Sequence, residues 1–485
     1  MIVTPKPVLR ALAILGLVFA PLASAQTTTA EPAQRLIVLT DIEADPDDTQ
    51  SLIRLLLYAN EIDIEGLIAT TSVHQKTRVA PESIRAVLDT YEHVRPNLET
   101  HAAGYPTGAA LKAITLHGLP EYGMGGVGAG KDSEGSDWII HVLEQDDDRP
   151  VWVSVWGGAN TLAQALHKIR RTHSKADAAR LVAKLRVYTI SDQDDSGIWI
   201  RRNFPDLFYI VSPGGYGGAT WTAINAEIPG FDNHEISNAW LAGNIQQGHG
   251  VLGARYPDVA YGMEGDTPAY LALIPNGLNA PEHPDWGGWG GRYELYRPDR
   301  AALDPDGFTG GVPVEAEPRA IWTNASDQYV PLVAGTYGRA THAGSEAIDG
   351  NKATLWRWRK DIQNDFAARM DWTTQPFGNA NHPPVPVLGH ADTLTVKSGS
   401  GFTLDATPTT DPDGDSLSYV WFNYPEAGTL DAPVPIDSAE NIARVHVVAP
   451  DVTTPSTLHF ILRVTDKGSP PLARYKRVIV TVLPD

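Results

Sequence analysis

Between Arg35 and Val211, short apolar runs alternate with segments of helical periodicity. That alternation restricts the fold more than any other feature of the chain. The runs at 36–39, 64–69, 151–156, 185–190 and 207–211 are too short and too continuously apolar for half-exposed helices, and read as buried strands. Between them, Leu52, Ile53, Leu55 and Leu56 recur at helical spacing, as do Ile84, Val87 and Leu88. Asn160 stands where a residue can cap the helix carrying Leu162, Ala165 and Leu166. Strands separated by helices imply an α/β fold, a mainly parallel sheet with helices on both faces. Ligands of such sheets bind beyond the carboxyl ends of the strands. The loops at 41–48, 156–160 and 191–203, distant in sequence, are therefore expected to meet at one site.

Ahead of this region, Lys6 and Arg10 precede an apolar run at 11–20, and Ala23-Ser24-Ala25 has the small-x-small form of a signal-peptidase site. Residues 1–25 read as a signal peptide, and the mature protein is expected to be exported to the periplasm or beyond. The apolar run is too short for a stable membrane anchor. The chain has no cysteine, which excludes disulfides, thiolate nucleophiles and metal–thiolate sites. Its net charge of −20 disfavours nucleic acid as a partner.

Residues 26–300 form the expected α/β domain, and 301–380 an extension without clear periodicity apart from a helix at 353–370. Pro383 and Pro384 mark a linker at 378–386, so residues 26–380 are expected to fold alone. Beyond it, runs at 393–396, 401–404, 417–422, 443–448, 457–464 and 474–482 alternate with turn signals. Residues 381–485 thus read as an all-β, Ig-like sandwich.

The densest chemical signal is Asp41-Ile42-Glu43-Ala44-Asp45-Pro46-Asp47-Asp48, five carboxylates in eight residues between a strand and a helix. Like charges this close repel, and a bound hard cation explains them, calcium better than magnesium because several protein oxygens are on offer. The same residues also fit a solvated turn in which Asp47 or Asp48 favours the helix N-terminus.

The segment resembles the acidic signature of the nucleoside hydrolase superfamily, with Asp41, Glu43, Asp47 and Asp48 on its four acidic positions. The resemblance implies that Glu43 and Asp48 bind Ca²⁺ and that Asp47 is the general base. The family usually has Asp where Glu43 stands and Pro-Gly where Ala44-Asp45 stand. Trp156-Gly157-Gly158-Ala159-Asn160 is similar to its strand–glycine–helix turn, which implies a metal-binding backbone carbonyl at Trp156. Glu264-Gly265-Asp266-Thr267-Pro268 resembles the late segment that completes the metal shell through Asp266. The family often has His before that Asp; here Gly265 stands there, which argues against an ordinary nucleoside substrate. Ser191-Asp192-Gln193-Asp194-Asp195, Asn203-Phe204-Pro205, Ile274-Pro275-Asn276-Gly277-Leu278 and the 286–293 segment resemble an exported subgroup described as cellulose-binding proteins with a nucleoside-hydrolase-like domain.

Substrate contacts are expected from Asp41, His74, Asp192, Gln193, Asp194, Asp195 and Asn203. Trp286 and Trp289, in a Trp-Gly-Gly-Trp-Gly-Gly run, are expected either to stack on sugar rings or to pack inward. Asp411-Pro412-Asp413-Gly414-Asp415 is a second acidic turn, read as a solvated turn or a structural calcium loop. The resemblance implies an exported calcium-dependent hydrolase of glycosyl bonds, acting on a carbohydrate. The alternatives are a non-catalytic cellulose- or polysaccharide-binding protein and a periplasmic nucleoside hydrolase.

Overall fold

The computed structural model describes Met1 and residues 32–485, apart from 230, 304–311, 313–314, 331, 335–339, 343–347, 431 and 437–440. The expected signal peptide lies outside the described residues save for Met1. No described helix is long and apolar enough to cross a membrane.

Eight strands form the main sheet: β1 (Gln34–Thr40), β2 (Ile62–Ala69), β3 (Thr115–His117), β4 (Val151–Val155), β5 (Leu185–Thr189), β6 (Phe208–Val211), β7 (Tyr293–Tyr296) and β8 (Ile321–Asn324). Their order is β3-β2-β1-β4-β5-β6-β8-β7. All neighbours pair parallel except β7 with β8. Alternate residues of β1 explain the unbroken apolar run: Leu36 and Val38 enter one hydrophobic cluster, Ile37 and Leu39 the other, so both faces are covered. The chain winds from β1 through β2 to β3 on one side, then returns to β4 on the other side of β1. The gap between the carboxyl ends of β1 and β4 is therefore the topological switch point.

Helix α1 (Asp47–Leu57) begins at this gap. Its sequence looks amphipathic, yet it is buried nearly all round, Arg54 included. Its second covering layer is α2 (Arg359–Asp371), supplied by the segment that showed little periodicity. Arg54 lies over the Phe366 ring at 3.9 Å and donates to the Ile362 carbonyl at 3.2 Å, and the Tyr58 hydroxyl donates to Asp365 at 2.7 Å. The sheet also draws β8 from this extension, between β6 and β7.

The C-terminal strands match the expected alternation closely. Thr393–Lys397, Ala473–Leu483, Ser456–Thr465 and Ser418–Asn423 form one sheet, and Gly401–Asp405 pairs with Arg444–Val448 in another. Phe402, Leu404, Trp421, Phe460 and Val480 fill the space between them.

The expectation of a free-standing 26–380 module meets a different arrangement, because Ala33–Asp485 is one unit with a shared core. Tyr424, Ile461 and Tyr475 of the sandwich belong to the same hydrophobic cluster as α1 and α2. Arg463 donates to Asp361 at 2.7 Å, Arg474 pairs with Asp365, and the Tyr424 hydroxyl donates to Asp327 at 2.5 Å. Despite burial, Arg474 and Arg369 hold the Asp365 carboxyl below the usual carboxylate range. Helix α2 is thus a middle layer, gripped by α1 on one side and by sandwich arginines on the other.

Candidate metal and substrate site

The turn after β1 carries its acidic residues to the switch point. Thr40 donates through its hydroxyl to Asp48 and accepts from the Ile42 amide at 3.0 Å, and the Ala44 amide donates to the Asp41 carbonyl at 2.9 Å. Carboxylate oxygens of Asp45, Asp47 and Asp48 lie within 4.8 Å of one another. Asp41 and Asp48 are buried, while Asp45 and Asp47 are partly open to the crevice. Glycine lets β4's loop close over this group, since a Cβ at Gly157 would stand 2.7 Å from Asp41 Oδ1.

Asp266 arrives from more than two hundred residues away, and α1 positions it. Buried Glu264 pairs with Arg54 at 2.5 Å, and its amide donates to Gln50 Oε1 at 2.9 Å. Thr267 donates to Ser51 Oγ at 3.0 Å, and the Tyr270 hydroxyl donates to the Ser51 carbonyl at 3.0 Å. This clamp holds Asp266 against the first turn of α1. Asp266 is 2% exposed, and its Oδ2 accepts no hydrogen bond among the described residues.

The electrostatics follow from that crowding. Burial, opposed by a hydrogen bond from Ser72 and reinforced by Asp45, pushes the Asp41 carboxyl up to about 7. Burial and then repulsion from the neighbouring aspartates raise Asp47, Asp48 and Asp266 well above the carboxylate range. Two unit charges 4 Å apart repel by about 4 kcal/mol at an effective dielectric constant near 20. None of the five aspartates forms an ion pair with a described side chain. The unpartnered Asp266 oxygen and this excess of hard oxygen donors fit a bound divalent cation.

Other expected residues are distributed unevenly. Glu43 adopts φ 82° and points away from the cluster, where its carboxylate pairs with Arg78 and accepts from Ser83. The Trp156 carbonyl, expected to face a metal, accepts from the Gln193 side-chain amide. Asp192 is bound bidentately by Arg201 at 2.9 and 2.8 Å and by Arg300 at 2.7 Å; despite burial, these arginines hold its carboxyl low. Burial pushes Asp194 up to about 6, and Asp194 ties two crevice loops together by accepting from the amides of Asn160 at 3.2 Å and Ser196 at 2.9 Å. Asp195 accepts from the Met124 amide at 2.8 Å. Asn203, at the far end of helix Ser196–Asn203, bonds Arg170 at 2.9 Å, away from the crevice. Trp289 is fully buried against Tyr475, and Trp286 stacks on His283 beside His459. Both tryptophans therefore serve the seam with the sandwich, and their faces are not presented to the crevice.

His74 is exposed at the mouth, its Nε2 2.7 Å from the Tyr216 hydroxyl. Tyr216 packs edge-on against Trp221 at 5.8 Å, and Asp41, Asp45, Asp47 and Asp266 act with burial to raise its phenol. Tyr216 and Trp221 escaped the sequence reading. Their position after β6, at the same sheet edge, was the available signal. Trp221 also accounts for Gly265, because a Cβ there would stand 2.9 Å from the Trp221 ring and 2.8 Å from Asp47 Oδ2. A histidine in that place would require Asp47 and the Trp221 ring to shift.

A switch-point acidic cleft on a parallel α/β sheet, joined to a β-sandwich, defines a nucleoside-hydrolase-like protein with an accessory β module. Residues 35–293 match the family model described as cellulose-binding Sde182, nucleoside hydrolase-like domain, and residues 401–482 match that of the cellulose-binding protein Sde0182, C-terminal domain. The chain belongs to this cellulose-binding, nucleoside-hydrolase-like family. Among solved structures it is similar to a nucleoside hydrolase-related hypothetical protein from Saccharophagus degradans described as associated with carbohydrate metabolism. The two share 37% identity and a TM-score of 0.75, over 93% of this chain and 100% of that one. No curated protein matches.

Proposed function

We propose that this chain is an exported, calcium-dependent hydrolase that cleaves glycosyl bonds of a carbohydrate. The observation that carries the reading is the set of aspartates Asp41, Asp45, Asp47, Asp48 and Asp266, in which a buried Asp266 oxygen has no hydrogen-bond partner and no cationic side chain to neutralise it among the described residues. Asp45, Asp48 and Asp266 would hold the ion, with Asp41 behind them; Glu43 is turned outward. When bound, calcium would supply positive charge that polarises an attacking water and eases its deprotonation.

The protein's own groups do the rest. Asp47 is partly open to the crevice and accepts the proton of the attacking water. His74, bonded to Tyr216 at the mouth, delivers a proton to the leaving oxygen. Tyr216 and the edge of Trp221 form an aromatic wall against which a sugar ring can lie. With Gly265 where the superfamily often has histidine, and Trp221 filling that space, the site is shaped for a leaving group other than a nucleobase.

The family description supports a second reading, a polysaccharide-binding protein without catalysis. A hydrolysis screen against nucleosides and a broad glycan panel, with and without chelator, separates the two. Asp47→Asn should cut turnover by roughly 10²–10⁴-fold while leaving calcium and glycan affinity nearly unchanged. Equal turnover in parent and Asp47→Asn would remove Asp47 from the mechanism, and inactivity on the whole panel would favour binding alone.

A further inference from the structure

The second acidic turn, 411–415, lies far from the crevice, at one end of the sandwich. Asp411 Oδ1 accepts from the amides of Asp413 and Asp415, both at 2.9 Å, as such a turn does for itself. Asp413 is committed elsewhere, accepting from the His382 amide at 2.7 Å and lying 3.0 Å from its Nδ1. What the turn does not explain is Asp411 Oδ2, which is buried and accepts no hydrogen bond among the described residues.

An independent residue meets it there. Strand Ser456–Thr465 pairs antiparallel with Ser418–Asn423 so that Thr465 faces Ser418. That register brings Asp466, the next residue, to the end of the sheet where the 411–415 turn enters. Asp466 is 0% exposed. Its Oδ1 accepts three hydrogen bonds, from Leu472 N at 2.9 Å, Gly468 N at 3.0 Å and Asn381 Nδ2 at 3.1 Å. Its Oδ2, equally buried, accepts none among the described residues. Burial raises the Asp466 carboxyl, and the charge of Asp411 adds to the rise, so the two carboxylates feel each other. Three donors orient Asp466, one of them Asn381, and the next residue, His382, donates its amide to Asp413, so Asp466 and the turn carrying Asp411 meet at residues 381–382, each with one bare buried oxygen. With both bare oxygens buried, such a pair is unfavourable unless something positive stands between its members.

We propose that Asp411 and Asp466 hold a divalent cation, calcium by the hardness of the donors, at the end of the sandwich where residues 381–385 run past. The ion would join the turn before one strand to the turn after its partner. Through Asn381, it would also fasten the chain entering the sandwich. Few protein charges are committed, so the affinity expected is that of extracellular calcium modules, a Kd on the order of 10⁻⁴–10⁻³ M.

The test uses the full chain, its Asp466→Asn and Asp411→Asn variants, and Asp48→Asn to report separately on the crevice. Each is stripped with chelator and dialysed against millimolar calcium, and bound calcium is counted. Asp466→Asn should bind fewer equivalents than the parent, by between about half and one, whether or not the crevice binds calcium, and Asp411→Asn should do the same. Asparagine keeps the carbonyl that accepts three bonds and puts an N–H donor opposite Asp411. In chelator, Asp466→Asn should therefore melt no lower than the parent, and millimolar calcium should raise the parent's melting temperature more than the variant's. Equal calcium counts in the parent and both sandwich variants would overturn the proposal. So would a parent stabilised by acid, through a shared proton, with its calcium response matching that of Asp466→Asn.

Discussion

Gly277 lies where a loop of the α/β unit crosses beneath strand Ala473–Leu483 of the sandwich, and replacing it with alanine probes how tightly the two are fitted. Its φ is +84°, and a Cβ would stand 2.0 Å from the Tyr475 carbonyl oxygen and 2.9 Å from its carbon. Gly248 is a control with nearly the same backbone, φ +83°, and nothing within 4 Å of its Cβ. Both substitutions carry the left-handed backbone cost, about 1 kcal/mol. Only Gly277→Ala also collides. Strand Ala473–Leu483 is paired on both sides, so it cannot yield alone, and restoring contact at 3.4 Å needs a shift of about 1.4 Å. Overpacking of this kind costs about 1–3 kcal/mol. The bond from the Tyr475 amide to the Asn276 carbonyl, at 3.0 Å, is also put at risk and contributes about 1 kcal/mol. Gly277→Ala should thus lose about 3–5 kcal/mol against about 1 for Gly248→Ala. A cooperative unit of roughly 450 residues has an unfolding entropy near 1 kcal/mol/K, so each kcal/mol moves the melting temperature by about 1 °C. Calorimetry should therefore place Gly277→Ala about 2–4 °C below Gly248→Ala. Two variants melting within 1 °C of each other would refute the claim that strand and loop are rigidly apposed.

Three further outcomes follow from the same contacts. Asp266→Asn removes one of the crowded carboxylates, so metal-free protein should be as stable as the parent or more so. Its calcium affinity should fall at least about tenfold, and titration calorimetry showing unchanged affinity would take Asp266 out of the metal site. His459, buried at the seam and facing Arg477 at 3.0 Å, has its pKa lowered from 6.5 to about 3 by burial, Arg477 and His283. The unfolded chain binds that proton first, so stability should fall as pH drops from 6.5 towards 3. His459→Gln should lose less over that window in denaturant melts; parallel pH curves would contradict the assignment. Residues 26–380 expressed alone should aggregate or melt well below the full chain, because Asp361 and Asp365 lose Arg463 and Arg474 and apolar surface is uncovered. A soluble fragment melting with the full chain would show that the seam adds little.

How much of this was legible in the sequence depends on the range of each interaction. Strands β1, β2, β4, β5 and β6 of the main sheet, the helix after the acidic turn and all six sandwich strands were readable, because periodicity of two or 3.6 residues is written in neighbouring positions, whereas the three-residue β3 is too short to show one. The meeting of the 41–48 turn and the 156–160 loop was readable too, since strand order in an α/β sheet brings carboxyl ends together. Side-chain fate was not. Glu43 and Asp48 sit in one acidic run, yet one pairs with Arg78 and the other lies buried beside Asp41. Asp192 and Asp194 are two residues apart, and Arg201 and Arg300 hold one low while burial raises the other. Trp286 and Trp289 looked equally suited to sugar stacking or packing, and the sandwich, more than a hundred residues on, decided for packing. Asp411 and Asp466 come to the same end of the sandwich only because two strands pair in one register. Local spacing determines which element a residue occupies. The partner that neutralises, covers or orients its side chain comes from a distant segment, and only the folded chain brings the two within the few ångströms over which charge and packing act.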